Sequence, residues 1–202
     1  MPGQMAGRAR PGRDRSEAVR TAAQRNLAEH SRNFFVRSAG GGRALSALMM
    51  PFFMVRPPKG YAAITTTGRK SGKPRRKCVR AIRNGSSVYV VMLRPPVVAI
   101  ENPDIITAWV LNIRSNPNVR VRLRGGEFPG LARELAEPDE LQKARDVFCE
   151  AVVPFDYGEC SVHLRGLPNR NKIRELNCYW FDTGVPMAID LAIAPSADRP
   201  RE

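Results

Sequence analysis

The stretch Thr65-Thr66-Thr67-Gly68-Arg69-Lys70-Ser71-Gly72-Lys73-Pro74-Arg75 joins two β-like runs: apolar Tyr61–Ile64 leads into it and basic Arg75–Arg83 leaves it. Two glycines permit positive φ and close backbone approach, so the middle reads as a tight turn. Arg69, Lys70, Lys73 and Arg75 gather positive charge there. Successive backbone N–H groups of such a turn can form a concave anion site, and guanidinium adds two-pronged contacts to phosphate or carboxylate. The spacing is not that of a Walker loop, and no helix follows. The bland alternative is an exposed hairpin with solvated charge.

Moving outward, Asn84-Gly85 is a hairpin signal between Arg75–Arg83 and a third strand, Ser87–Leu93, which Pro95-Pro96 closes. Asp104 can cap a helix over Ile105–Ser115, stopped by Asn116-Pro117. Val119–Leu123 alternates apolar residues with Arg and reads as a half-buried strand. Gly125-Gly126 turns it into a strand over Glu127–Leu135. Asp139 starts a helix over Glu140–Val152 with Leu141, Ala144, Val147, Phe148 and Ala151 on one face. Pro154–Arg174 shows no clear period and reads as a long loop, functional or disordered. Leu176–Phe181 reads as a final strand that resumes over Met187–Ile193. Upstream, Asp14 or Ser16 caps a helix to about Arg37, Gly40-Gly41-Gly42 ends it, and a short helix over Arg43–Met50 stops before Pro51. The expected organisation is a disordered basic arm over 1–13, a helical segment over 14–56, a small α+β barrel domain over 57–195 and a tail over 196–202.

The chain has 202 residues, 43% of them hydrophobic, which suits one globular domain. Its net charge of +14 leaves acidic ligands, nucleic acid and anionic lipid as partner classes. Eight Lys or Arg and no Asp or Glu fall within Arg69–Arg83, and Arg8–Arg15 and Arg114–Arg124 form two further clusters. Nucleic acid is disfavoured because the basic run lacks interleaved aromatics. Cys78, Cys149, Cys160 and Cys178 form no Cys-x-x-Cys pair, so no metal site is expected and reduced thiols in a cytoplasmic protein are the preferred reading. Cations beside Cys78 would lower its pKa, although no nearby histidine argues for a catalytic thiol. The apolar run Ala44–Val55 is too short to span a membrane. It is expected to be a core or cofactor-covering segment, with peripheral contact at the inner face of an anionic membrane as the second candidate. His163 reads as a surface residue.

The turn motif resembles the Thr-Thr-Gly-Arg-Lys-Ser/Thr-Gly-x-Pro-Arg signature of the deazaflavin-dependent nitroreductase family. Trp109-Val110-Leu111-Asn112-Ile113-Arg114-Ser115-Asn116-Pro117-Asn118-Val119 is similar to that family's Trp-x-x-Asn-Leu-x-x-Asn-Pro-x-Val segment. The likeness covers Tyr61–Leu135. It implies a split β-barrel of the flavin-reductase type and an oxidoreductase that binds the 8-hydroxy-5-deazaflavin coenzyme F-420, with FMN as the alternative. A hydride would pass to a small quinone-, enone- or nitro-like acceptor. By position, Arg69, Lys70, Ser71, Gly72 and Arg75 would serve the phosphate and anionic tail. Val91, Met92, Leu93 and Arg94 would line the ring through backbone groups, and Ala108 and Trp109 would flank it with Asn112 nearby. No catalytic side chain is assigned. The sequence leaves the oligomeric state open, a homodimer included. The chain departs from the pattern at Pro95-Pro96 and at Arg80, where some members carry a ring-facing Tyr. In place of the family's acceptor wall stands Pro154–Arg174, where Arg165, Arg170 and Lys172 would make the mouth positive and Tyr157 could line it.

Overall fold

The computed structural model of the protein describes residues 11–27, 29 and 39–192. Six strands form a closed, all-antiparallel barrel: β1 Tyr61–Thr67, β2 Pro74–Asn84, β3 Ser87–Met92, β4 Asn118–Leu123, β5 Gly126–Glu134 and β6 Val185–Leu191, in the order β1-β2-β3-β6-β5-β4. Alternation along each strand sends Ala62, Ile64, Val79, Ala81, Val88, Val90, Val119, Val121, Met187 and Ile189 into one interior cluster. At the Asn84↔Ser87 hairpin, Gly85 takes φ +63°, as a two-residue turn requires.

Among the described residues seven helices surround the barrel: α1 Pro11–Leu27, α2 Ala39–Val55, α3 Pro96–Glu101, α4 Ala108–Ser115, α5 Pro138–Glu150, α6 Pro154–His163 and α7 Arg170–Thr183. α5 and α7 cover the outer face of β2, β3 and β6 with Phe148, Phe181, Ala144 and Cys149. Truncating a side chain as buried as Phe148 to Ala typically costs ~3–5 kcal/mol. α1 lays Val19 and Ala23 against Ala99, Leu176, Tyr179 and Trp180.

Several expectations are overturned. Leu176–Phe181 is not a strand but the C-terminal half of α7, whose buried Ile173, Leu176, Asn177 and Trp180 follow a helical period. Pro154–Arg174 is not a loop: most of it is α6 and the start of α7, linked through residues 164–169. Gly40-Gly41-Gly42 ends no helix and Pro51 stops none, since both lie inside α2. Burial of Phe53 with Met49, Met50 and Met54 against Tyr61, Ala63 and Val153 holds α2 through those weak positions. Pro96 opens α3, which was not foreseen. The helix expected from Ile105 begins at Ala108, and Asp104 instead accepts a hydrogen bond from Ser16 Oγ at 2.6 Å. α1 starts at Pro11, inside the arm expected to be disordered. The remainder of that arm, the expected helix end near Arg37, His30, Ile193 and the tail over 196–202 lie outside the described residues.

One buried polar cluster fixes α6 to the barrel. Arg80 and Asp156, each about 2% exposed, form an ion pair. Asp156 also accepts from Tyr61 Oη and from the Val153 amide, both at 2.8 Å. Arg80 Nη2 donates to the Ala151 carbonyl at 2.5 Å, and the guanidinium lies 5.1 Å from the Phe148 ring centroid. Burial, more than any neighbouring charge, pushes the Tyr61 hydroxyl well above its ordinary pKa. The Arg80 position is therefore a structural anchor.

Candidate functional site

β1 and β2 pair from Tyr61↔Arg80 to Thr67↔Pro74, whereas β2 and β3 pair only from Asn84↔Ser87 to Ala81↔Val90. The half of β2 nearest the β1–β2 turn thus has an edge free of β3, and Val91–Met92 diverges from it. The barrel is split there. α2 borders that edge: the Cys78 amide donates to Ser46 Oγ at 3.1 Å, and the Cys78 thiol to the Ser46 carbonyl at 3.5 Å. Burial raises the Cys78 pKa and outweighs the lowering by Lys77, so the expected activation of this thiol by its cations is not met.

The turn is rigidly built. Gly68 N–H donates to the Lys73 carbonyl at 2.9 Å, and the Ser71 and Gly72 amides donate to the Gly68 carbonyl at 3.1 and 2.7 Å. A Cβ on Gly68 would stand 2.9 Å from Ser71 Oγ and 3.0 Å from the Lys73 carbonyl, which excludes any larger residue without rearrangement. The Gly68, Ser71 and Gly72 amides are used inside the turn and are not offered to an anion. Side chains face outward instead: Arg69, Lys70, Ser71, Lys73, Arg75 and Arg76 are all exposed. Among the described residues none of these cations forms an ion pair, whereas Arg114, Arg133, Arg145 and Arg174 each pair with a carboxylate. Arg75 Nη2 reaches Ser71 Oγ at 3.5 Å.

α4 braces this turn. Asn112, 5% exposed, accepts from the Arg69 amide at 3.2 Å and donates from Nδ2 to Thr66 Oγ1 at 3.2 Å. Thr66 in turn donates to the Arg75 carbonyl at 3.3 Å. The two sequence motifs, 43 residues apart at these atoms, thus meet through one relay. Asn112 positions the turn from behind. Trp109 packs into the barrel interior, and Ala108 is exposed on the first turn of α4.

At the end of β3 the side chains of Val91 and Met92 are buried. Met92 Sδ accepts from the Thr107 amide at 3.2 Å. Thr107 occupies the N-cap position of α4, yet its hydroxyl makes no capping bond, and Oγ1 is buried without a partner among the described residues. An orphaned hydroxyl beside Met92 and Ala108 fits a ligand group better than a packing role. Sequence reading missed Thr107 because it placed this residue inside a helix starting at Ile105. Leu93 is half-buried. Arg94, 5% exposed, turns inward: Nε donates to the Ile105 carbonyl at 3.3 Å, Nη1 to the Thr183 carbonyl, and its own carbonyl accepts from Tyr179 Oη at 3.2 Å. Burial lowers its pKa from the usual arginine value. Arg94 and its carbonyl are therefore committed to the protein body.

The cations of the expected acceptor wall, Pro154–Arg174, lie at the far end of α7 from Arg94. Arg170 opens α7, Arg165 lies in the link before it, and Thr183, which holds Arg94, is the last residue of the helix. A helix of that length spans ~20 Å, beyond the ~8–10 Å reach of exposed charges. Lys172 Nζ folds back onto the Arg165 carbonyl at 3.1 Å. His163 is not a free surface residue: it packs edge-on to Trp180 with ring centroids 5.1 Å apart and pairs with Glu159 at 3.4 Å. Tyr157 is exposed. An open depression lined by Asn84, Ser87, Tyr89, Asp139, Glu140 and Lys143 lies at the other end of β2, and its carboxylates disfavour an anion.

Comparison with known proteins bears on this site. Among solved structures, an F-420-H2-dependent reductase (FDR-A) is 20% identical, covering 65% of this chain and 94% of its own, with a TM-score of 0.41. A conserved hypothetical protein from Mycobacterium tuberculosis is 15% identical, covering 73% and 81%, with a TM-score of 0.43. The family described as F-420H(2)-dependent quinone reductase matches residues 54–161, a span that contains the split, the cationic turn, the Asn112 brace and Asp156. With just over half of the chain matched, this protein belongs to the F-420H(2)-dependent quinone reductase family, an oxidoreductase family.

Proposed function

We propose that the chain binds coenzyme F-420 across the split between β2 and β3 and passes its hydride to a small quinone-, enone- or nitro-like acceptor. The bound deazaflavin supplies the hydride from its C5 carbon. Arg69, Lys70, Ser71 and Arg75 hold the phosphate and anionic tail, with Gly72 shaping the loop at φ +64°. Thr107 offers its unpaired hydroxyl to the ring, Val91–Leu93 and Ala108 border it, and Trp109 and Asn112 support that wall from behind. The task of these residues is to hold the reacting groups close and to keep water out. One observation carries the reading: a row of cations with no carboxylate partners among the described residues, braced by a buried relay, stands at the mouth of the split.

The test is a fluorescence titration of purified protein with F-420 and with FMN. Micromolar or tighter F-420 binding and much weaker FMN binding are expected. Tighter FMN binding would overturn the cofactor assignment in favour of a flavin.

A surface contact with anionic lipid is a second reading, compatible with the first. It rests on α2, where Leu48, Phe52 and Val55 are 73%, 51% and 78% exposed beside exposed Arg56 and Lys59. Apolar residues at this spacing, flanked by cations, suit a helix lying in a headgroup layer. No helix among the described residues is long and apolar enough to cross a membrane.

A further inference from the structure

α5 and α7 pack side by side and antiparallel. Arg145 on α5 grips Asp182 on α7 with two bonds, Nε to Oδ1 at 2.7 Å and Nη2 to Oδ2 at 2.8 Å. Nearer the other end, Arg174 on α7 pairs with Glu150 on α5, and Asn177 Nδ2 donates to the Ala151 carbonyl at 3.1 Å. Cys149 lies one turn beyond Arg145, and Cys178 one turn before Asp182. The register therefore sets Cys149 opposite Cys178, between two ionic clamps, and each thiol is the strongest influence on the other's pKa. Cys149 is 3% exposed against the α5–α7 core, whereas Cys178 is half-buried at its edge.

We propose that Cys149 and Cys178 are a reversible disulfide site that hydroperoxides oxidise. The two thiols have different parts. Interaction with Cys149 and with the Arg145 guanidinium lowers the Cys178 pKa, while interaction with Cys178 and burial raise that of Cys149. The Cys178 thiolate attacks one oxygen of a hydroperoxide. The O–O bond breaks, Cys178 becomes a sulfenic acid, and the departing oxygen takes a proton and leaves as alcohol or water. Cys149 then attacks the Cys178 sulfur as its own proton is lost. The S–S bond forms, the S–O bond breaks, and the released hydroxide is protonated to water. Two electrons and two protons leave the thiols and are taken up by the peroxide. Cys78 and Cys160 have no thiol neighbour, and burial raises the pKa of both.

The site needs no cofactor, so it is tested apart from the reductase reading. Fully reduced full-length protein is treated with hydrogen peroxide, its remaining thiols are alkylated, and a non-reducing digest is examined by mass spectrometry. A Cys149–Cys178 cross-linked peptide, lost on adding dithiothreitol, is expected. In Cys149→Ser, dimedone should trap a sulfenic acid at Cys178; in Cys178→Ser the same exposure should leave Cys149 largely unmodified. Thermal unfolding of both reduced variants checks that they fold. Sulfinic acid at Cys178 without the cross-link, first oxidation at Cys149, Cys78 or Cys160, or disulfides only between chains would each overturn the proposal.

Discussion

Replacing Asn112 by Ala separates the brace from the ligand contacts, because Asn112 touches the turn from its buried side. Two hydrogen bonds of 3.2 Å are lost. Each is at the long end of the normal range, and a neutral bond contributes ~0.5–1.5 kcal/mol. The sum is ~1–3 kcal/mol, which lowers the melting temperature of a domain near 200 residues by ~2–4 °C per kcal/mol, so by about 2–12 °C. The second effect is on the anion site. Without the brace the Arg69 backbone is free in the unbound state, and ordering one residue costs ~1–2 kcal/mol, or roughly 5–30-fold in Kd. Differential scanning calorimetry measures the first effect and fluorescence titration with F-420 the second. Thr66→Val should reproduce a smaller part of both. A lowered melting temperature with unchanged F-420 affinity would show that the turn is not where the anion binds. If neither quantity moves, the relay itself does not exist.

Arg75→Ala and Lys70→Ala should each weaken F-420 binding about tenfold, equivalent to ~1.4 kcal/mol, an effect that titration at raised salt should shrink. Thr107→Val should weaken the cofactor without lowering the melting temperature, because the hydroxyl it removes has no partner among the described residues; a stability loss equal to the affinity loss would refute its role as a ligand group. Asp156→Ala leaves the Arg80 charge buried and unpaired, so unfolding should show a loss of ~3–5 kcal/mol, much of it recovered in the Arg80→Met/Asp156→Leu double variant; equal losses in both would mean the pair is not buried. Leu48→Asp/Val55→Asp should reduce co-sedimentation with phosphatidylserine vesicles and leave F-420 affinity intact, and undiminished sedimentation would end the lipid reading.

The barrel was largely legible because its strands carry period-two alternation and its hairpins carry glycine signals, as in Val119–Leu123 and at Asn84-Gly85. The helical flank was less so. Leu176-Asn177-Cys178-Tyr179-Trp180-Phe181 is rich in strand-favouring aromatics, and its helical period appears only when the window reaches back to Ile173. The Asn169 cap, which accepts from the Lys172 amide at 3.0 Å, was available as a start signal. α2 ran against local rules, since Pro51 and three glycines argue for a break while contacts with the distant Tyr61, Val153 and Phe155 decide otherwise. The site divided in the same way. The cationic turn and Asn112 could be read from local motifs. The inward turn of Arg94 and the ion pair of Arg80 with Asp156, 76 residues apart, depend on contacts that leave no local trace.

The Gly68, Ser71 and Gly72 amides are bonded within their own turn, which has a consequence for selectivity. A rigid nest of N–H groups matches one oxyanion of one size. A fringe of long, solvent-exposed guanidinium and ammonium groups is elastic: it can follow an anionic chain as it moves and engage whichever carboxylate is within reach. Affinity at this end of the molecule should then grade smoothly with the number of negative charges on the ligand's tail. Forms with short and long tails should bind on one scale, and under the proposed assignment discrimination between rings would fall to the region around Thr107.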